Sequence, residues 1–217
     1  MSARRPTNRE IEINLRISDV QDTLSKLRTL GARYQSRVLE RNTLYDTPES
    51  DFRRRGALLR LRVEIPVPRP PADARVPSRR AKSATRAAVR TILTSKSPTN
   101  TSALRIGRRY KEKFERELIV CDSATRWDQF LRSLGLRPGF RYEKYRTTFR
   151  LPRLALELDE TPAGTFLELE GSPRAIDRAA RALGYTTRNY YRGTYWDVYA
   201  ADCRRRGVTP RNMLFHS

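Results

Sequence analysis

Charged residues recur at positions i and i+2 in segment after segment of the sequence, and in most of these segments an aliphatic residue lies between them. In an extended strand this spacing places both charged side chains on one face and the aliphatic side chains on the other. Carboxylates bind hard cations such as Mg²⁺ and Mn²⁺, whereas Arg and Lys neutralise phosphate oxygens. The charged residues with this spacing are Glu10 and Glu12; Arg60 and Arg62; Lys113, Glu115 and Glu117; Lys144 and Arg146; Glu157 and Asp159; and Glu168 and Glu170, with Lys96 alone in a similar segment.

The opposite, aliphatic faces of these segments are suited to burial beneath helices. Examples are Ile11 with Ile13, and Leu167 with Leu169. If helices cover that side, the charged faces line an internal, wet cavity, because unpaired charges buried without water or ligand cost several kcal/mol each. A cavity with both signs of charge suits a polyphosphate and its divalent cation. The alternative is a set of solvated ion-pair ladders on the surface of a basic protein.

The remaining patterns indicate the elements that must hold these residues. Alternation predicts a first strand over 10–17, and a second extended run reaches Tyr45. Further strands are predicted over 57–64, 91–96, 110–120, 141–150, 153–160 and 165–170. Helical spacing and end signals predict helices from Ser18 to Gly31, over 123–134, between Pro173 and Gly184, and near 195–206. In the second helix, Trp127, Phe130, Leu131 and Leu134 are expected to face inward. Together these elements favour an α+β fold: a closed, mostly antiparallel β-tunnel of eight strands with helices packed outside.

Composition narrows the chemistry. The chain has 45 Lys and Arg against 24 Asp and Glu, a formal net charge of +21, and such a field attracts polyanions. Two cysteines are too few for a disulfide framework or a thiolate metal site. The single histidine, His216, makes imidazole catalysis and His-ligated zinc poor hypotheses. The sequence has no signal peptide and no bilayer-spanning apolar run, so a cytoplasmic protein that does not bind membranes is expected.

A basic, proline-rich stretch interrupts the strands at about 66–91. We interpret it as a disordered insertion in a single domain of residues 1–217, which ends in a Tyr-rich helical tail from about 185. One interpretation of the insertion is a solvated loop without function, and the other is a segment that recruits RNA or an acidic partner. Nucleic acid is therefore an expected partner through the insertion. The other expected partners are a polyphosphate-bearing small molecule and a second copy of the chain in a homodimer.

The motifs, taken in order along almost the whole chain, resemble those of the CYTH superfamily, the triphosphate tunnel metalloenzymes. This superfamily includes class IV adenylyl cyclases and thiamine- and inorganic-triphosphatases. Its opening ExExK motif resembles Glu10-Ile11-Glu12-Ile13-Asn14, and its tyrosine–aspartate turn and L-R-x-R strand resemble Tyr45-Asp46-Thr47 and Leu59-Arg60-Leu61-Arg62. Its late acidic signature resembles Asp159 to Glu170.

The resemblance implies Mg²⁺- or Mn²⁺-dependent turnover of a triphosphate inside an eight-stranded tunnel. It implies that the metal-side carboxylates are Glu12, Asp159, Glu168 and Glu170, joined by Glu10. It assigns catalytic roles to Glu10, Glu12, Glu115 and Glu117, and substrate binding to Arg60, Arg62, Lys96, Lys113, Lys144 and Arg146.

One departure from the family pattern concerns the site itself. Asn14 replaces the lysine that closes the opening motif, which removes a cation from the tunnel floor and would weaken or alter activity. Arg16 follows on the same face, about 6–7 Å further along the strand, and is a partial substitute in this interpretation.

Three functions stay open on the sequence. The favoured one is a triphosphatase, because the residues that would hold phosphates are evident and a purine-reading cluster is not. The second is a class IV adenylyl cyclase that converts ATP to cyclic AMP and pyrophosphate. The third is a polyphosphate- or RNA-binding module without turnover, in keeping with the net charge of +21.

Overall fold

Eight antiparallel strands close into a tunnel, as the alternation predicted. The structure, a computed structural model, describes residues 9–68, 88–99 and 109–215. The strands are β1 (Arg9–Ile17), β2 (Arg33–Asp46), β3 (Leu58–Pro66), β4 (Arg90–Pro98), β5 (Lys111–Val120), β6 (Arg137–Leu151), β7 (Leu154–Thr161) and β8 (Gly164–Gly171). Their order around the tunnel is β1-β5-β4-β3-β2-β6-β7-β8, and β8 pairs with β1 to close it. A two-residue strand, β9 (Tyr190–Tyr191), pairs with β1 beyond the end of β5.

Helices lie outside this tunnel. They are α1 (Val20–Thr29), α2 (Asp51–Arg54), α3 (Ala124–Ser133), α4 (Pro173–Ala182) and α5 (Tyr195–Arg205). The cap of α1 is Asp19 rather than the predicted Ser18, because the Asp19 carboxylate accepts a hydrogen bond from the backbone N of Asp22 at 2.9 Å. The short helix α2 was not predicted.

The main hydrophobic core lies between the aliphatic strand faces and the helices α1 and α4. Ile13 and Leu167 are fully buried there, beneath Leu27 of α1 and Ile176 of α4. Burial of such side chains removes apolar surface from water, and each buried side chain contributes about 1.5–3 kcal/mol to the stability of the fold. Because successive residues of a strand alternate between faces, this core fixes which side chains point into the tunnel.

Helix α3 packs differently from the prediction. Leu131 is buried against Tyr45 and Leu61, and Trp127 packs against the same cluster, but Phe130 is 51% exposed and Leu134 is 61% exposed. Only one stripe of a ten-residue helix can face the sheet, and the i, i+4 pair Trp127 and Leu131 occupies it. Phe130 instead packs edge-on against the Trp127 ring, with centroids 5.5 Å apart.

The C-terminal segment covers one end of the tunnel. Val198 of α5 and Met213 pack against Tyr142 and Phe166. Tyr142 and Phe166 lie two residues before Lys144 and Glu168 and therefore share the inner faces of β6 and β8 with them. The backbone of Met213 exchanges hydrogen bonds of 2.9 Å with Arg141 and Glu143 of β6. The helix predicted near 195–206 is thus present and shapes the tunnel.

Two earlier expectations concern residues that the structure does not describe. Most of the insertion, 69–87, lies outside the described residues, and its expected ends belong to strands, since β3 ends at Pro66 and β4 begins at Arg90. His216 also lies outside them. Among the helices of the described ranges, none has the length and apolar character needed to cross a bilayer.

Candidate active site

Most of the predicted acidic residues of the inner surface lie on one wall, formed by the adjacent strands β7, β8 and β1. In the strand register Glu12 faces Glu170, and Glu157 faces Glu168. Like charges directly opposite each other on a sheet are destabilising. This wall therefore favours cations as partners, whether side chains or metal ions.

Three of the wall carboxylates converge. Glu10, Glu12 and Glu168 each offer an oxygen, and these oxygens lie within 4.8 Å of one another. The Oε2 atom of Glu12 is buried and has no hydrogen-bond partner among the described residues. Clustered carboxylate oxygens with spare acceptor capacity are the ligands that Mg²⁺ and Mn²⁺ prefer. The residues present therefore fit a hard divalent cation.

Asp159 and Glu170, the other predicted metal ligands, lie on the same wall. Within the part of the chain that the structure describes, they do not belong to the cluster of Glu10, Glu12 and Glu168. Asp159 is fully buried and engaged by cations: Lys144 Nζ lies 2.8 Å from it, and Arg146 binds both of its oxygens at 2.7 and 2.6 Å. Glu170 faces Glu12 in the register. Burial, together with the neighbouring Glu157 and Glu168, raises the pKa of Glu170.

Lys96 joins the acidic wall to β5. Its Nζ lies 2.8 Å from Glu10 and 2.8 Å from Glu115. Burial, with a hydrogen bond to Glu115, raises the pKa of Glu10 far above its usual value. Burial alone would raise the pKa of Glu115 as well, but the hydrogen bond from Glu10 and the charge of Lys96 lower it. The pKa values of these two neighbouring carboxyl groups are therefore shifted in opposite directions, because a proton held by one of them can be donated to the other.

The predicted phosphate-binding cations lie mainly on the other walls. Arg60 and Arg62 of β3 and Lys144 of β6 are buried, and Arg146 is mostly buried. Arg60 contacts Glu117 at 3.3 Å and Glu115 at 3.6 Å. Arg146 lies 2.8 Å from Glu168 and also contacts Glu157. Each of these cations is held by carboxylates, so the inner surface is ordered before any ligand arrives.

A fully buried carboxylate that the sequence analysis overlooked, Glu40 of β2, organises these cations. It is 0% exposed and lies 3.4 Å from Arg62, 3.5 Å from Lys144 and 3.5 Å from Arg146. Burial alone would raise its pKa, but the charges of Arg62, Lys144 and Arg146 hold the pKa well below the usual value. The signal was available: Val38, Glu40 and Asn42 have the same i, i+2 spacing as the residues that were selected.

Tyr195 was also overlooked, because it comes from helix α5 and not from a strand. Its hydroxyl donates to Asp159 at 2.5 Å, and Lys144 Nζ lies 4.9 Å from the centre of its ring. Both contacts hold the ion pair between Asp159 and Lys144 in one arrangement.

Replacing Tyr195 with Phe tests this contact. We expect Tyr195→Phe to lower the free energy of unfolding by about 2 kcal/mol, because a hydrogen bond to a buried carboxylate is lost while the ring packing stays. Urea denaturation at pH 7 measures the change. The matched control is Tyr191→Phe, which removes a hydroxyl from the same aromatic cluster. Equal stabilities of wild type and Tyr195→Phe would contradict the contact.

The remaining predicted residues lie towards the edges of the site. Lys113 donates to the carbonyl oxygen of Gly56 at 2.9 Å, and Glu117 is partly exposed while it contacts Arg60. Arg16 is exposed and lies beside Gly164, and its role as a partial substitute for the missing lysine stays a prediction. Two cations lie beside the opening motif: Lys96, with Nζ 2.8 Å from Glu10, and Lys111, with Nζ 3.3 Å from Glu12.

Comparisons with known proteins agree with this architecture. The sequence matches the family model of the CYTH domain over residues 8–193, and no curated protein matches it significantly. A putative adenylate cyclase from Vibrio parahaemolyticus has a similar structure, with a TM-score of 0.65 and 15% identity, over 87% of this chain and 96% of that chain. For a protein from Pyrococcus horikoshii the TM-score is 0.66 and the identity 19%, over 89% and 99% of the two chains.

A putative adenylyl cyclase from Hippeastrum, whose dominant activity is that of a triphosphatase, gives a TM-score of 0.51 at 18% identity, over 93% of this chain and 97% of that chain. At these identities the similarity shows a common fold. It is the fold expected from the strand pattern, a closed antiparallel tunnel with helices outside.

Proposed function

The chain belongs to the CYTH domain family, and from that premise we propose that it is a metal-dependent phosphohydrolase that acts on a triphosphate bound in its tunnel. The triphosphate is inorganic triphosphate, thiamine triphosphate or a nucleoside triphosphate, and the proposed site of action is the cytoplasm. The single observation that carries this proposal is the division of the inner surface. Three converging carboxylates lie on one wall, and buried cations lie on the walls around it.

The chain's own residues supply the binding of the phosphate chain. Arg60, Arg62, Lys96, Lys144 and Arg146 are the proposed phosphate ligands. Guanidinium groups can bind phosphate oxygens in bidentate fashion, and an ammonium group acts as a point charge. Because carboxylates already orient these side chains, little side-chain entropy remains to be lost when substrate binds. Glu115 and Glu117 take part by holding Arg60, and Asp159 by holding Arg146.

Glu10, Glu12 and Glu168 are the proposed ligands of Mg²⁺ or Mn²⁺. A bound ion would supply Lewis-acid chemistry towards the phosphoryl group. Glu10 must be ionised to act as a ligand, since only the ionised carboxylate binds a hard cation well. Lys96, 2.8 Å from Glu10, favours that ionised form.

Product analysis tests the proposal. The protein is incubated with ATP, inorganic triphosphate and thiamine triphosphate, each with Mg²⁺, with Mn²⁺ and with a chelator. We expect metal-dependent release of phosphate from at least one of them. Cyclic AMP as the main product from ATP would contradict hydrolysis, and strong binding without any product would contradict catalysis.

The class IV adenylyl cyclase stays the second candidate because two of the similar structures are of putative adenylyl cyclases. Cyclisation needs a pocket for adenine and a base near the ribose. The aromatic rings near the covered end of the tunnel pack on one another, as Phe140 does on Tyr142 and Trp196. These contacts make the rings less available to stack on adenine. Hydrolysis remains our preferred proposal, since it needs only the phosphate and metal ligands.

Arg62→Ala tests the phosphate-binding role. Arg62 is buried beside Glu40 and Asn42, and the loss of one charge-assisted contact to phosphate costs about 1.5–3 kcal/mol. We therefore expect KM for the triphosphate to rise about tenfold or more. Steady-state kinetics measure it, with the exposed Arg178→Ala of α4 as control. A KM that stays the same in Arg62→Ala would mean that this guanidinium does not contact the substrate.

A further inference from the structure

Asn14 has a buried side chain with an unused hydrogen-bond acceptor. The residue is 4% exposed, and its Oδ1 atom has no hydrogen-bond partner among the described residues. A buried polar atom without a partner costs about 1–3 kcal/mol, and native proteins retain few of them. This oxygen therefore calls for an explanation in terms of a ligand.

The position of Asn14 indicates which ligand. It follows Glu10 and Glu12 at i+4 and i+2, so its side chain projects from the same face of β1. In the register between β1 and β8 it lies directly opposite Glu168. Glu12 and Glu168 are therefore the members of the cluster nearest to Asn14, one two residues away along its strand and the other directly across from it, and Glu10 lies two residues beyond Glu12 on the same face.

The chemistry of an amide oxygen suits this place. Mg²⁺ and Mn²⁺ accept neutral carbonyl oxygens as well as carboxylates. A neutral ligand adds a bond to the cation without adding charge to a wall where carboxylates already repel one another. A lysine at this position would do the opposite, because its ammonium group repels a cation and has no lone pair to offer while charged.

We propose that Asn14 is a neutral oxygen ligand that completes the Glu10–Glu12–Glu168 cluster for a divalent cation. This inference rests on the proposed metal-dependent function and goes beyond it in one respect. The family motif has a lysine where this chain has Asn14. In the absence of triphosphate, this chain is therefore expected to bind the cation more tightly than a chain that has the lysine. The departure from the motif is then a change of ligand and not simply a loss of charge.

Binding of Mn²⁺ alone tests the inference without any turnover. The full chain is titrated with Mn²⁺, and electron paramagnetic resonance measures the free ion. We expect Asn14→Ala to weaken Mn²⁺ binding about tenfold and Asn14→Asp, which keeps an oxygen, to bind at least as tightly as wild type. Asn14→Lys should bind more weakly than Asn14→Ala. Asn42→Ala, which removes a buried amide from β2 on the opposite side of the tunnel, should change the affinity less than twofold.

Thermal unfolding provides the second measurement. Without metal, Asn14→Ala should be as stable as wild type or slightly more stable, because the unpartnered oxygen is gone. With saturating Mn²⁺, the rise in Tm should be larger for wild type than for Asn14→Ala. If Asn14→Ala does not fold, the comparison of wild type with Asn14→Asp decides the question, and weaker binding by Asn14→Asp overturns the inference.

Failure of this inference can be told apart from failure of the proposed function. If wild type binds Mn²⁺ and releases phosphate while Asn14→Ala and Asn14→Lys bind Mn²⁺ equally well, Asn14 is not a ligand and the phosphohydrolase proposal stands. If wild type neither binds Mn²⁺ nor shows metal-dependent turnover, both are wrong.

Discussion

Glu168→Gln is expected to lower metal-dependent phosphate release at least about 100-fold while the protein stays folded. Glu168 provides one of the three converging carboxylate oxygens, and an amide is a much weaker ligand for a hard cation. Stability should change little. The substitution removes one negative charge from a crowded acidic wall, and Arg146, which loses a contact at 2.8 Å, keeps both oxygens of Asp159.

Initial rates with the best triphosphate substrate, together with circular dichroism and urea denaturation, measure this expectation. Glu160→Gln is the matched control, because Glu160 pairs with Arg37 and lies outside the three-carboxylate cluster. A Glu168→Gln protein that unfolds would show that the acid is a structural ion-pair partner. A folded variant with full activity would remove the carboxylate cluster from the mechanism.

Glu40→Gln should have the largest effect on stability, a loss of about 3 kcal/mol in the free energy of unfolding. Breaking a buried ion pair by neutralising one partner is strongly destabilising, and Glu40 is shared by Arg62, Lys144 and Arg146. The sign of its pH dependence is fixed. Since its pKa is lowered in the folded state, Glu40 stabilises the protein above the ordinary carboxyl pKa of 4.5, and that contribution declines as the pH falls below this value.

Urea denaturation of wild type and Glu40→Gln at pH 7 and at several lower pH values measures both effects. The stability difference should be largest near neutral pH and should shrink on acidification. Glu64→Gln is the control, because Glu64 is also buried but contacts Arg62 and the exposed Arg90. Its loss should be smaller. A difference between wild type and Glu40→Gln that does not depend on pH would show that packing, and not charge, explains the effect.

Strand parity is the part of this molecule that the sequence predicts well. Ile13 is buried under the helices while Glu12 belongs to the carboxylate cluster of the inner surface. This follows from alternation alone, because one buried face determines the direction of every side chain in a strand. The closed antiparallel tunnel follows from the number of such strands and from the small number of helices.

What the sequence does not reveal is which charges meet. Glu12 and Glu168 are 156 positions apart, and they converge because β8 returns to pair with β1. Glu40 was overlooked because its strand also carries charged residues on its other face, such as Arg37 and Arg41. Tyr195 reaches Asp159 only through the placement of α5, and a helix pattern carries no information about which tunnel residue it will touch.

The covered end of the tunnel has a consequence for the entry of substrate and the release of products. With α5 and Met213 packed over Tyr142 and Phe166, substrate and products are expected to share one doorway. The portion of the substrate that enters last must then leave first, or the deeper fragment stays trapped behind it. Pyrophosphate or a nucleoside diphosphate that must leave in this order would be released slowly. Product release, and not bond cleavage, would then limit the rate of turnover.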